Sequence, residues 1–286
     1  MEQVVHRRAP AKVNLTLAVL RRRMDGFHEL ESWVMTVGLF DELTFAPATR
    51  LSLTVQAPSR AVPTGASNLV WRAAMGLAEA SRREPAVSLK LLKRIPVGAG
   101  LGGGSSDAAA TLLGLNLFWE LNWPVERLMP IAARLGSDVP LFLEPGPAVI
   151  RGRGERVERL TMGWEGWLAL VVPSYGIPTS RVYQYWVEGG RIRHSQTPVW
   201  LQRPGSALEL SWRLFNDLEA AAFSCEPRLK RLHAALDGLD ERAVRMTGSG
   251  SCLFAVFDSE TEAEHWRRQA RPHLEQQDDI LVAKTA

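Results

Sequence analysis

The sequence predicts an α+β protein of two domains, and three observations carry that expectation. At 286 residues the chain exceeds the commonest single-domain size and falls short of three, so two units of about 130–150 residues are expected, each able to bury a core. The front of the chain alternates short apolar and polar runs, whereas the rear mixes strand and helix patterns in the order of helices laid on one face of an antiparallel sheet. Between them a glycine-dense segment opens straight into a helical pattern, a junction suited to holding an anion.

Val13 to Val19 sets apolar residues on alternate positions around Asn14, Thr16 and Ala18, a half-buried strand with Lys12 at its start. A lysine placed there is ordinarily exposed. Met24-Asp25-Gly26-Phe27 forms a turn, and segments near 29–38, 41–47 and 51–56 read as further strands punctuated by Asp41, Pro47 and Pro58. Ser67 or Asn68 caps a helix running to about Ser81, with Leu69, Ala73, Met75 and Leu77 as its buried stripe. After a short strand, Val87 to Leu92, a helix begins near Ser105 and turns Ala108, Ala109, Leu112, Leu113 and Leu117 inward. Pro124 suits the first position of the next helix, which ends by Gly136. Glu144-Pro145-Gly146-Pro147 and the charged stretch from Gly152 to Glu158 close the first domain, so the domains are residues 1–155 and 156–286. Beyond the boundary come a strand (167–173), a helix (179–187), an irregular segment (189–205), helices (206–222 and 226–238), strands (243–247 and 251–257), a helix (260–274) and a strand (280–284). No internal repeat is found.

Composition removes whole classes of function. Hydrophobic residues make up 46% and charged residues 23%, ordinary proportions that exclude disorder and fibrous architecture. Apolar stretches such as Trp167 to Val172 fall far short of the roughly 18 residues a bilayer span requires. No export signal is read at the N-terminus, and Cys225 and Cys252 lack metal-site spacing, so free thiols in a reducing cytoplasm are expected. The 34 Lys and Arg against 31 Asp and Glu leave a formal charge of +3. Arg21 to Arg23 and the scattered Arg267, Arg268 and Arg271 read as solvated faces, or as charges that steer a polyanionic small molecule. The ten tryptophans, Trp186, Trp200 and Trp212 among them, suit a binding face and core packing equally.

Pro96-Val97-Gly98-Ala99-Gly100-Leu101-Gly102-Gly103-Gly104-Ser105-Ser106 holds five glycines in eleven positions. Glycine admits positive φ and removes the Cβ that would block a close approach, so successive N–H groups can face phosphate oxygens, with the dipole of the following helix adding to the attraction. Ser105 and Ser106 add hydroxyls able to bond a phosphate or a bound magnesium ion. No Lys-Ser or Lys-Thr follows the last glycine, which excludes a Walker A loop, and no βαβ unit precedes it, which disfavours a dinucleotide fingerprint. Asp107, in the first turn, is better placed to stabilise the helix dipole than to bind magnesium.

These residues resemble a known family. Pro10-Ala11-Lys12-Val13-Asn14-Leu15 looks like the first motif of the GHMP kinases, Pro96 to Ala109 like their phosphate-binding second, and Met246-Thr247-Gly248-Ser249-Gly250-Ser251-Cys252 like their glycine-rich third. Arg23 to Leu30, Leu135 to Leu143, Ile177-Pro178-Thr179 and Asn216-Asp217-Leu218-Glu219 resemble the branch that phosphorylates a cytidine diphosphate sugar alcohol on the methylerythritol phosphate route to isoprenoids. Phe27 departs from the tyrosine usual in that branch, keeping an aromatic face and losing a hydroxyl.

The resemblance implies an N-terminal ribosomal-protein-S5-like domain and a C-terminal ferredoxin-like α/β sandwich, with ATP and Mg2+ as co-substrate and cofactor. It carries the catalytic base onto Asp138 and places Lys12 beside it, makes Pro96 to Ser106 the ATP loop, and sets Phe27, His28 and Tyr183 around a cytosine ring. Asn14, Thr179, Thr247, Gly248, Ser249 and Gly250 become further substrate contacts, and no metal ligand is assigned. Each has a plainer reading: Asp138 as a turn aspartate, the aromatic pair as core, His28 as a strand cap, and Thr247 to Ser251 as a hairpin. The partners implied are small molecules, with neither nucleic acid nor membrane, and monomer and homodimer are both compatible. A competing class, an RNA-binding protein using Arg21 to Arg23, predicts binding that weakens steeply with salt and survives loss of Asp138.

Overall fold

The computed structural model describes residues 4–57, 62–161, 164–186 and 204–286. They form two compact units, between which the chain passes repeatedly: residues 1–11, 39–97 and 102–145 make the first, and 12–38, 98–101 and 146–286 the second.

In the first unit, β3 (His28–Pro47) pairs antiparallel with β5 (Val87–Leu92), from Glu42 opposite Leu92 to Pro47 opposite Val87, and β4 (Ser52–Gln56) joins β5 in parallel. Alternation dictates that Leu43, Phe45, Leu89 and Leu91 share the buried side. Helices α1 (Leu69–Ser81), α2 (Gly103–Phe118) and α3 (Val125–Leu135) pack on one another. Gly114 of α2 sits so close to the sheet that a Cβ there would lie 2.3 Å from the Phe45 ring.

Several expectations change here. Residues 29–38 and 41–47 belong to one strand, β3, and Asp41 is a wholly buried strand residue because its carboxylate has an ammonium partner. Asn68 is the cap of α1, its side chain accepting from Val70 N–H, and the buried stripe is Val70, Ala73, Ala74, Leu77 and Ala78; Met75 faces solvent. Helix α2 starts at Gly103 rather than Ser105, since Gly102 takes the cap position, and Leu117 points outward. Asp107 is buried rather than serving the exposed helix end.

The second unit holds two sheets. Within it the β1 strand (Val5–Asn14) contributes its last residues, and β2 (Thr16–Arg22) follows after a break at Leu15, which divides the expected single strand. β2 pairs antiparallel with β3 through the Arg23–Phe27 turn, where Gly26 adopts φ +83°. β6 (Ala148–Gly152) pairs with β3, and β7 (Arg156–Arg159) with β6, so the charged stretch from Gly152 to Glu158 is a hairpin that bends at 153–155.

The other sheet runs β10 (Arg245–Met246), β11 (Leu253–Phe257), β8 (Trp167–Val172), β12 (Asp279–Lys284), antiparallel throughout as expected. Helices α4 (Thr179–Tyr185), α5 (Ala207–Arg213), α6 (Glu219–Cys225), α7 (Pro227–Asp237) and α8 (Glu260–Ala270) complete the unit. The expected helix 206–222 is cut into α5 and α6 by β9 (Phe215–Asn216), which adds in parallel to β2. Most of the irregular segment 189–205, with Trp200, lies outside the described residues. Trp33 and Trp266 fill cores, whereas Trp212 is exposed and bonds its indole N–H to Glu241 O at 2.7 Å. Among the described residues no helix is long and apolar enough to cross a membrane.

Candidate active site

Lys12 and Asn14 of the first motif meet the glycine-rich third motif in the second unit. Lys12 ends up only 4% exposed, contrary to the ordinary fate of a strand-start lysine, because the chain folds back over it. Its ammonium donates to Asn14 Oδ1 at 2.5 Å, and its backbone N–H to Leu101 O at 3.0 Å. Asn14 donates from Nδ2 to Ser32 Oγ (2.7 Å) and from its backbone N–H to Thr247 Oγ1 (2.9 Å), and Thr247 Oγ1 returns a bond to Asn14 Oδ1 at 3.3 Å. Opposite them Cys252 N–H bonds Ala99 O at 3.2 Å.

This packing explains two glycines. A Cβ on Gly100 would fall 2.5 Å from Thr247 O, and one on Gly248 would fall 3.4 Å from Lys12 Nζ and 3.2 Å from Gly100 O. Gly98, Gly100 and Gly102 take φ of +75°, +80° and +73°. The carbonyls of Ala99 and Leu101 are engaged by the Cys252 and Lys12 N–H groups, and successive amides in an alternating conformation of this kind can face an anion.

The aromatic residues also gather in the second unit. The rings of His28 and Tyr183 stack with centroids 4.8 Å apart at 19°, and Trp186 meets His28 edge-on at 5.2 Å. Phe27 is 54% exposed, with the Arg153 guanidinium over its ring at 4.9 Å. Thr179 Oγ1 and Ser249 Oγ are bonded at 2.8 Å, which ties the start of α4 to the 247–250 turn.

Sequence reasoning assigned no role to Asn216-Asp217-Leu218-Glu219, yet these residues brace the site. Asn216 Nδ2 donates to Met246 O and Gly248 O, both at 2.8 Å, and Glu219 Oε1 accepts from Met246 N–H at 2.7 Å. Asp217 Oδ2 accepts from Val19 N–H at 3.0 Å. Burial raises the Glu219 pKa most, with the Met246 N–H, Arg245 and His233 opposing it. The sequence signal was the likeness of this segment to one branch of the family, which marked the stretch without saying what its side chains do. Trp186 stood out only as one of the tryptophans suited equally to a binding face and to core packing, and Arg153 was missed, since nothing in local spacing links either to Phe27 or His28.

Pro96, Val97, Gly102, Gly103, Gly104, Ser105, Ser106 and Asp138 belong to the first unit. Val97 and Gly104 are exposed, while Ser106 is buried with no hydrogen-bond partner for its Oγ. Asp138 lies in the turn between α3 and the 3-10 segment Pro140–Leu143, partly exposed, as expected for a turn residue. Among the described residues no cluster of three or more His, Cys, Asp or Glu is arranged to hold a metal ion.

Comparison with known proteins gives the same picture. The profile described as GHMP kinases N terminal domain matches residues 68–146, and that described as GHMP kinases C terminal matches residues 201–275. A 4-diphosphocytidyl-2-C-methyl-D-erythritol kinase of Citrifermentans bemidjiense is 40% identical over 258 residues, covering 90% of this chain and 91% of its own. One of Rhodococcus jostii is 42% identical, covering 88% and 84%. A crystal structure of 4-(cytidine 5'-diphospho)-2C-methyl-D-erythritol kinase superposes with a TM-score of 0.80 at 34% identity, covering 98% of this chain and 99% of that one. A homoserine kinase from Cytophaga hutchinsonii, at 17% identity and a TM-score of 0.76 over 100% of this chain and 96% of its own, shares the fold. The architecture is thus the expected two-domain α+β one, S5-like at the front and ferredoxin-like at the rear, and the chain belongs to the GHMP kinases.

Proposed function

We propose that the chain is an ATP-dependent kinase that phosphorylates the 2-hydroxyl of 4-diphosphocytidyl-2-C-methyl-D-erythritol, giving the 2-phosphate and ADP in the non-mevalonate isoprenoid pathway. The observation that carries the reading is the Lys12–Asn14–Thr247 constellation against the 98–101 loop, in a chain whose near relatives bear that enzyme's name. Phosphoryl transfer runs through a loose transition state, so positioning and charge neutralisation do most of the work. The residues 96–106 take the ATP phosphates on backbone amides. Asp138 accepts the proton of the attacking hydroxyl, and the Lys12 ammonium stabilises the charge on the transferring group.

On this reading the ATP loop lies within residues 1–155, and the substrate side draws on residues 156–286 together with Asn14, Phe27 and His28 from the front of the chain. Phe27, His28 and Tyr183 hold the cytosine by stacking and edge contacts, a mode suited to a flat polar heterocycle. Asn14, Thr179 and Thr247 to Gly250 line the remainder of the substrate. Magnesium comes bound to the triphosphate, consistent with an ion that keeps substrate phosphates and water as ligands. The free thiols of Cys225 and Cys252 fit a reducing cytoplasm.

ADP release across a substrate panel tests the assignment. The 4-diphosphocytidyl substrate should support turnover, and homoserine and mevalonate should not. ADP released with either of those and not with the cytidylyl compound overturns it. Asp138→Ala should abolish turnover while leaving ATP bound; an active Asp138→Ala protein removes that residue from the role of base.

A further inference from the structure

The glycine loop is built from residues that cannot hold themselves in place, since glycine has the largest backbone freedom to lose. Something must fix its two ends, and a buried charge cluster in the first unit does so. Lys93, 5% exposed, stands three residues before Pro96. Its ammonium bonds Asp41 Oδ2 from the middle of β3 and Asp107 Oδ2, at 2.7 Å, from the second turn of α2. Asp41 spends its other oxygen, Oδ1, on the backbone N–H groups of Arg94 (2.5 Å) and Ile95 (2.8 Å). Asp41 therefore grips the chain just before the loop, and Lys93 grips the helix just after it. The helix start is seated on the same residues: a Cβ on Gly103 would lie 2.9 Å from Ile95 Cγ2 and 3.1 Å from Lys93 Nζ.

We propose that Lys93, Asp41 and Asp107 form a clamp that sets the geometry of the nucleotide loop, which makes Lys93 and Asp107 positioning residues for phosphoryl transfer. Burying such a cluster costs desolvation that a well-packed apolar group would avoid, so stability alone is a poor reason for it. The charge balance suits a permanent fixture. Burial, with Asp41 adding, pushes the Asp107 carboxyl up to about 8 against the pull of Lys93. Lys93 thus holds both carboxylates together, and Asp107 Oδ1 has no hydrogen-bond partner of its own.

The proposal rests on the kinase reading, and its test is kept separable from it by measuring the affinity of a non-hydrolysable ATP analogue by calorimetry and amide hydrogen exchange of residues 98–104. A wild-type protein that fails to bind the analogue overturns the kinase reading. Given binding, Lys93→Met should weaken it about tenfold or more and speed exchange in the loop, the scale expected when a binding group is misplaced by around 1 Å. In turnover the loss should appear in KM for ATP and kcat, with KM for the acceptor within about twofold. Asp107→Asn, which keeps the shape and an acceptor for Lys93, should bind nearly as wild type, whereas Asp107→Leu should follow Lys93→Met. If Lys93→Met does not fold, the neutralised combination of Lys93→Met, Asp41→Asn and Asp107→Asn carries the same expectation. A folded protein without the lysine that binds the analogue and protects its loop as wild type does overturns the clamp.

Discussion

A single amide decides what Lys12 can do. Asn14 turns Oδ1 toward the ammonium because its Nδ2 is committed to Ser32 Oγ, whose own proton goes to Thr16 O at 2.5 Å. The orientation is thus set by the network, and Asn14 steadies Lys12 without neutralising it. Asn14→Asp should reverse that. The new carboxylate would pair with Lys12 and set an oxygen against Ser32 Oγ, which has no proton left to give. The ammonium would then be partly neutralised where, on the proposed mechanism, the transferring phosphoryl draws on its charge. We expect kcat to fall by about tenfold or more, with KM for ATP changed much less; steady-state kinetics on a variant whose melting temperature is near wild type would check this. A variant with undiminished kcat would mean that the Lys12 charge is not used at the phosphate. Burial pushes the neighbouring Cys252 thiol far up despite the nearby Lys12 charge, so it stays a neutral packing group.

At the scale of elements, what a glycine costs to replace depends on whether a second element closes over it. Gly26 at the β2–β3 turn and Gly100 in the 96–106 loop have nearly the same φ, +83° and +80°. A Cβ on Gly26 meets nothing within 4 Å, whereas one on Gly100 meets the Thr247 carbonyl at 2.5 Å. Gly26→Ala should therefore cost only the left-handed backbone penalty, about 1–2 kcal/mol. Gly100→Ala should cost visibly more in urea unfolding and should abolish ADP release, because the 247–250 turn must move; equal costs in the two variants would refute the packing argument. The same distinction marks what the sequence could disclose. The turn at Gly26, the cap at Asn68, the loop-to-helix junction and the antiparallel order of the rear sheet follow from local patterns. Asp41 was misread as punctuation because its partner, Lys93, lies 52 positions away. The split of 206–222 into two helices was hidden because Asn216 and Asp217 answer to Gly248 and Val19 rather than to their own helix. Contacts of that kind leave no period to read.

For the whole molecule, charge and chain path matter more than composition. In the two arginine-bearing hairpins, Arg23 pairs with Asp25 and Glu29, Arg151 with Glu31 and Glu158, and Arg156 with Glu29. The chain path carries a sharper consequence. The core of the second unit joins Leu17 and Val19 of β2 to Val171, Leu218, Leu229, Leu253 and Trp266. β9 pairs with no strand other than β2 among the described residues, through Thr16 opposite Phe215 and Leu17 opposite Asn216. A boundary near residue 155 therefore cuts through a compact unit, since residues 12–38 and 98–101 belong with 146–286. Residues 156–286 expressed alone would lose two fully packed aliphatic side chains, each worth about 2–5 kcal/mol in comparable truncations, and the partner of β9 as well. A domain stability of about 5–15 kcal/mol does not survive that. The fragment should show a broad urea transition and bind a hydrophobic dye, and co-expression with residues 1–155 should restore cooperative unfolding. A fragment that unfolds alone in one sharp transition, with well-dispersed amide resonances, would show that β2 is dispensable to this core.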